Sequence, residues 1–318
     1  MTLFAAIRAS WPRLLRRLRL AVVGAGLAGG FQPCPAAEVL VLNSDENVEK
    51  YGVVQRAFVD TLDAALGALP VSVTGASGEE ARVRRLIREQ DPKYILCIGS
   101  KAYLAAQGST GSRNVILAGA LNWKRLPLGS KTYAIANELP AEMELTLFRY
   151  FFPKLQTVAV LYDPKFNKEW FAAAEDAARK MGLKLVEREV SSAGDVRRAL
   201  AQVLSRSQAF WLIPDPTVLT SEQAIRDIVG QARAARKPVL TYNPAFADLG
   251  AALAVSPDVP TVGRQAAWLV SELVGRRKVE DKVQSPAGSE VILNLRAVGE
   301  CDLDLNEEAL GSVNRIIR

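Results

Sequence analysis

The sequence predicts an α/β protein of two similar halves, each built on a parallel sheet. Short apolar runs alternate with stretches of helical period along most of the chain. That βα alternation, at this spacing, favours parallel strands joined by helical crossovers. The pattern then begins again at residue 157, and the halves meet near Asn137. Two sheets of four or five parallel strands are expected. The length of 318 residues leaves room for two domains of ordinary size.

Residues 1–37 stand apart. They hold Arg8, Arg13, Arg16, Arg17 and Arg19 and no acid, followed by an apolar run over residues 20–31. The run is short for a membrane span of about 20 residues, and Ala36 and Ala37 offer small residues for cleavage. An export signal removed near Glu38 is expected, which places the mature protein in the periplasm. Phe31-Gln32-Pro33 before Cys34 is not a lipoprotein box.

The first half opens with a strand over residues 38–43, ending in Asn43-Ser44-Asp45, and a helix over 48–66. A short strand over 71–74 and a basic helix over 79–90 follow. Arg82, Arg84, Arg85 and Arg88 alternate there with Glu79, Glu80 and Glu89, which marks a solvated face rather than a phosphate site. A buried strand over 94–98 carries Cys97 as a small core residue and empties into Gly99-Ser100-Lys101. Strands over 114–118 and 132–136 complete the half, the former leading to Gly119 and Trp123. Pro140 sits at the start of the next helix, where proline is favoured.

The second half repeats the scheme. Strands are expected over 157–162, 183–190, 210–213, 238–242 and 251–255, with helices to Lys180, over 192–205, over 221–235 and over 261–274. Ser221 is a candidate N-cap. Residues 279–288 read as a polar connector, 290–295 as a last strand, and the tail as short and partly helical.

Composition excludes several chemistries. There is no histidine, so Ser-His-Asp and Cys-His catalysis, histidine zinc sites and a histidine pH switch are absent. Three cysteines form no CxxC pair. The net charge is +6, but taking the five arginines of the leader from the 40 basic residues leaves 35 against 34 acids. Nucleic acid is therefore not an expected partner. Gly24-Ala25-Gly26-Leu27-Ala28-Gly29 has the spelling of a dinucleotide loop but sits inside the leader. No Walker A sequence or nucleophile elbow occurs, so no enzyme activity, cofactor or metal is expected.

What remains is a set of polar strand exits. In open α/β sheets ligands gather outside the carboxyl ends of strands. Phe210-Trp211-Leu212-Ile213 runs into Pro214-Asp215-Pro216-Thr217, where proline stiffens a loop that presents Asp215 and Thr217. Asp45, Asp163, Asp215 and Asp258 all stand at such exits, where they either meet a ligand or cap the next helix. Trp123, Tyr162, Phe166, Trp211, Tyr242 and Phe246 lie near exits and suit either a flat ligand or the core.

Residues 157–318 also resemble the ABC-transporter substrate-binding proteins of the type I periplasmic fold, in the branch with tryptophan- and tyrosine-binding members. The resemblance rests on Val158-Ala159-Val160-Leu161-Tyr162-Asp163, on Leu212-Ile213-Pro214-Asp215-Pro216-Thr217-Val218, on Ala234-Ala235-Arg236-Lys237-Pro238-Val239-Leu240 and on the run from Gly250 to Asp258 followed by Gly263-Arg264-Gln265-Ala266. It implies two Rossmann-like lobes joined by a three-crossing hinge: residues 38–136 plus 259–278, and 137–256 plus 286–318. It implies ligand contacts at Asn43, Ser44, Asp45, Ser100, Lys101, Tyr162, Asp163, Asn167, Asp215, Thr217, Tyr242, Asn243 and Asp258. The first exit reads Asn43-Ser44-Asp45-Glu46-Asn47 where that branch carries His-Pro. The function implied is a monomeric exported protein that captures an amino acid or similar small molecule for an ABC permease. The alternative is a sensor or accessory binding protein that serves an envelope signalling partner.

Overall fold

Two sheets organise the chain, and the chain passes between them three times. The structure is a computed structural model that describes residues 37–73 and 75–318. The leader through residue 36, including Cys34, and Thr74 of the expected second strand lie outside the described residues.

The first sheet uses β1 (Val39–Asn43), β2 (Ala68–Ser72), β3 (Tyr94–Ile98), β4 (Asn114–Ala118) and β5 (Thr132–Ile135). Their order is β2-β1-β3-β4-β5, and every pair is parallel. β1, β3 and β4 are buried on both faces, which explains their continuous apolar sequence. Pro70 falls within β2 because β2 is the edge strand, where a missing N–H costs no ladder bond. Helices α1 (Glu49–Thr61), α2 (Glu79–Gln90) and α3 (Ser100–Ala106) connect them. On α2, Arg82 pairs with Glu79 and also reaches the Ser72 carbonyl.

The second sheet repeats the order with β6 (Thr157–Tyr162), β7 (Lys184–Glu189), β8 (Ala209–Leu212), β9 (Val239–Thr241) and β10 (Leu253–Pro257), arranged β7-β6-β8-β9-β10. Its helices are α4 (Ala141–Phe151), α5 (Pro164–Lys180), α6 (Ala193–Leu204), α7 (Glu222–Ala234) and α8 (Pro244–Asp248). Ser221 caps α7 by accepting the Ala224 N–H at 3.1 Å.

After β10 the chain returns to the first sheet. Helix α9 (Val259–Val274) lies against α1, and Val262, Ala266 and Val270 enter the core beneath β1 and β3. The approach is close enough that only glycine fits at Gly263, where a Cβ would stand 2.5 Å from the Val54 carbonyl oxygen. The segment expected as a connector then supplies β11 (Val283–Gln284), parallel to β5 at the other edge. The chain crosses back into β12 (Ser289–Asn294), α10 (Leu295–Gly299) and β13 (Arg315–Ile317).

Both sheets are thus larger than the expected four or five parallel strands. Among the described residues the first has six and the second seven. The second is also mixed, because β12 pairs antiparallel with β10. A strand arriving from the opposite sheet by a short connector, without a helical crossover, is free to enter in either direction.

Candidate functional site

At the carboxyl end of the second sheet the expected residues do come together, and they bond chiefly to one another. Asp215 is 1% exposed. One carboxylate oxygen accepts the Asp163 N–H at 2.8 Å and Asn167 Nδ2 at 2.6 Å. The other accepts the Thr217 and Val218 N–H groups at 2.9 and 3.2 Å. Asp163 caps α5 through the Lys165 N–H and accepts Thr217 Oγ1 at 2.6 Å. The four side chains form a closed knot joining β6, α5 and the loop after β8.

The other exits are similarly committed. Tyr162 stacks on Phe171 at 4.5 Å, and its hydroxyl donates to Glu187 and Glu189. Burial, then the two glutamates, push that phenol well above its ordinary range. Asn243 caps α8 through the Ala245 N–H. Asp258 caps α9 through the Thr261 N–H and also takes the Thr261 hydroxyl and Arg264.

In the first sheet Asn43 accepts the Asp45 N–H and donates to Gln55. Asp45 accepts from Asn47, and Ser44 accepts the Ala102 N–H at 2.9 Å. Gly99, at φ +84°, lets Ser44 approach, since a Cβ there would sit 2.6 Å from the Ser44 hydroxyl oxygen. Ser100 begins α3 half-buried, and Lys101 is exposed.

The cavity lies beside these knots. It has a volume of about 690 Å³, within the range of small-molecule sites. One wall is the turn from Asn122 to Arg125 after β4, with Gln284 of β11. The opposite wall is the first turns of α5, with Trp170, Trp211, Pro214 and Tyr242. The crossing segment from Ala136 to Ala141, together with Glu144 of α4, also lines it. Of the thirteen residues named from sequence, Asn167 and Tyr242 line this cavity. Of the aromatics near exits, Trp123, Phe166, Trp211 and Tyr242 line it, Trp211 also being a buried member of the core, whereas Tyr162 and Phe246 belong to core clusters and do not line it.

Sequence reasoning missed the two acids that matter most here. Glu138 follows β5 and is half-buried; Asn122 N–H donates to its Oε1, while its enclosed Oε2 finds no partner among the described residues. Glu144 is 5% exposed, and its Oε1 likewise has no partner among them. Burial pushes the Glu144 carboxyl up to about 8. The nearby indole N–H of Trp211 draws it back, although the two do not meet in hydrogen-bonding geometry, and Glu138 adds to the rise. Burial also raises Glu138, offset by the Asn122 and Asn137 N–H groups and by Arg125 and Lys124. Tyr242 is pushed up to about 12 by burial, with Glu138 and Glu144 adding.

A sequence signal for Glu144 did exist. Glu144, Phe148 and Phe151 share the buried stripe of α4, so an acid occupies an apolar position. The rim has the opposite charge. Lys124, Arg125, Lys165 and Lys168 line the cavity and are exposed. Arg125, on the first wall, lies 4.7 Å above the Phe166 ring on the second. Among the described residues no cluster of acids and cysteines is placed to hold a metal, and no helix is long and apolar enough to cross a membrane.

A family model described as ABC transporter substrate binding protein matches residues 71–317. A search of curated proteins gave no match. Among solved structures, the ligand-free, open form of a substrate binding protein with adhesive properties from Clostridium difficile is similar. It has a TM-score of 0.70 and 15% identity, over 88% of this chain and 98% of that one. An ABC domain in complex with L-Trp from Streptococcus pneumoniae has a TM-score of 0.60 and 18% identity, over 88% and 99%. A conserved domain protein from Vibrio cholerae has a TM-score of 0.60 and 19% identity, over 88% and 99%. At these identities the likeness speaks for the fold, which is of the type I periplasmic binding kind.

Proposed function

This chain belongs to the family of ABC transporter substrate binding proteins, and on that basis we propose that it is exported and captures an amino acid or similar small molecule for an ABC importer. The observation that carries the reading is the cavity of about 690 Å³, whose walls come from both sheets. A solute held there touches both halves, so its binding energy favours whichever arrangement of the halves encloses it best. Loading is thereby converted into a shape that a permease can read.

The proposed contacts are the residues that line the cavity. Asn167 and Tyr242 remain from the sequence-based set, joined by Glu138, Glu144, Trp123, Trp170 and Trp211. The lobes proposed are residues 38–136 plus 259–278, and 137–256 plus 286–318, with β11 added to the first by its pairing with β5.

Thermal-shift screening against amino acids, purines and organic acids, followed by calorimetry, tests this. A ligand at 100 times its Kd stabilises the protein by about 2.7 kcal/mol. Absence of stabilisation by every compound counts against solute capture.

A further inference from the structure

We propose that the enclosed end of the cavity, formed by Glu138 and Glu144 with Trp170, Trp211 and Tyr242, takes the cationic nitrogen of the solute, an ammonium or guanidinium group carried on a flat apolar body. The inference rests on the solute-binding reading and narrows its ligand class.

Two enclosed carboxyl oxygens, Glu138 Oε2 and Glu144 Oε1, lack hydrogen-bond partners among the described residues. Leaving such groups unpaired is costly, and natural proteins seldom do so without a use for them. The protein's own cations do not supply the pairing. No ion pair among the described residues involves either acid, and the four basic residues of the wall are exposed at the rim. A ligand nitrogen with two or three N–H donors supplies the kind of partner these oxygens lack.

The surrounding surface suits the rest of such a molecule. Trp170 and Trp211 stand edge to face at 4.9 Å, and Tyr242 lines the same cavity. Aromatic faces attract a cation and pack against a flat apolar body. A carboxylate at this end would instead face Glu138 with no cation between them, which selects against it. An acidic group elsewhere on the ligand remains compatible with the basic rim, so the charge layout sets an orientation: cation inward, anion outward.

Binding should also release a proton. Burial favours the protonated form of the Glu144 carboxyl, which it pushes up to about 8. An arriving cation favours its ionised form, and the proton passes to the buffer. The other groups facing this pair are Tyr242, which the acids influence directly, and Lys50, Lys124 and Arg125 on the Glu138 side. Lys165, Lys168 and Glu169 stand at the rim.

The test is calorimetry on the mature protein with three probes that differ at one end: 2-phenylethylamine, 2-phenylethanol and 3-phenylpropanoate. The amine is expected to bind tightest and the carboxylate weakest. Glu144→Gln, which keeps the shape and removes the charge, is expected to weaken the amine by about 30-fold or more. Its melting temperature checks that the fold is intact. The amine's binding enthalpy at pH 7 should differ between phosphate and Tris in proportion to the protons released.

Equal or tighter binding of the alcohol or the carboxylate overturns the assignment and leaves the cleft a solute site. So does an amine affinity indifferent to Glu144→Gln, or a broader screen whose hits lack a cationic nitrogen. If no compound of any charge binds, the solute-binding reading fails, and this inference falls with it.

Discussion

Asp215 and Glu144 are both buried acids of the second half, and they differ in company. Asp215 accepts four hydrogen bonds, two to each oxygen. Glu144 leaves Oε1 without a partner among the described residues and has its carboxyl pushed up to about 8. Asp215 has used its acceptor capacity on the fold and ties β6, α5 and the loop after β8 into one unit. Glu144 has capacity left and borders a cavity. A buried carboxylate with a full set of donors is architecture, whereas one left short at a cavity wall is placed to meet something from outside.

The contrast is broken most severely by Asp215→Ala. It strands the N–H groups of Asp163, Thr217 and Val218 and the Asn167 amide, so a loss of about 3–5 kcal/mol is expected in chemical denaturation. Retention of wild-type stability would show that the knot contributes little.

Glu144→Gln should act in the opposite direction, and in a pH-dependent way. The folded carboxyl titrates near 8 against an ordinary value of 4.5, so the native state holds a proton that the unfolded state has lost between those values. Wild-type stability therefore falls as pH rises through that window, by up to about 1.4 kcal/mol per unit from this group. The glutamine variant lacks this contribution. Its melting temperature relative to wild type should climb between pH 5 and pH 8, and a constant difference would contradict the burial argument.

Asn167 belongs to both regions, since it donates to Asp215 and lines the cavity. Asn167→Ala should cost about 1.5–3 kcal/mol of stability and also weaken any solute that binds. Thr217→Val touches the knot alone. It removes the hydroxyl donor to Asp163 and should cost about 1 kcal/mol, with solute affinity unchanged in calorimetry.

The βα alternation was legible because each buried strand is a short apolar run and each helix carries a stripe. The later strands were harder. β11 has two residues and β13 three, too few to show a period, and the antiparallel direction of β12 depends on where the chain crosses. At the site, strand exits were legible and their use was not. Asp215 stands out in Pro214-Asp215-Pro216-Thr217, yet half of what satisfies it comes from Asp163 and Asn167, 52 and 48 residues earlier. Glu144 shows the reverse case. Its place on the apolar stripe of α4 was written in the sequence, but only the packed structure reveals that its Oε1 meets no donor in hydrogen-bonding geometry among the described residues.

The most direct measurement is a crystal structure of the protein grown with 2-phenylethylamine. Its nitrogen is expected within about 3 Å of the Glu144 carboxyl, its ring among Trp170, Trp211 and Tyr242, and the Asp215 hydrogen bonds unchanged. A ligand held by Asp163, Asp215 and Thr217, or one whose nitrogen points to the basic rim, would contradict it.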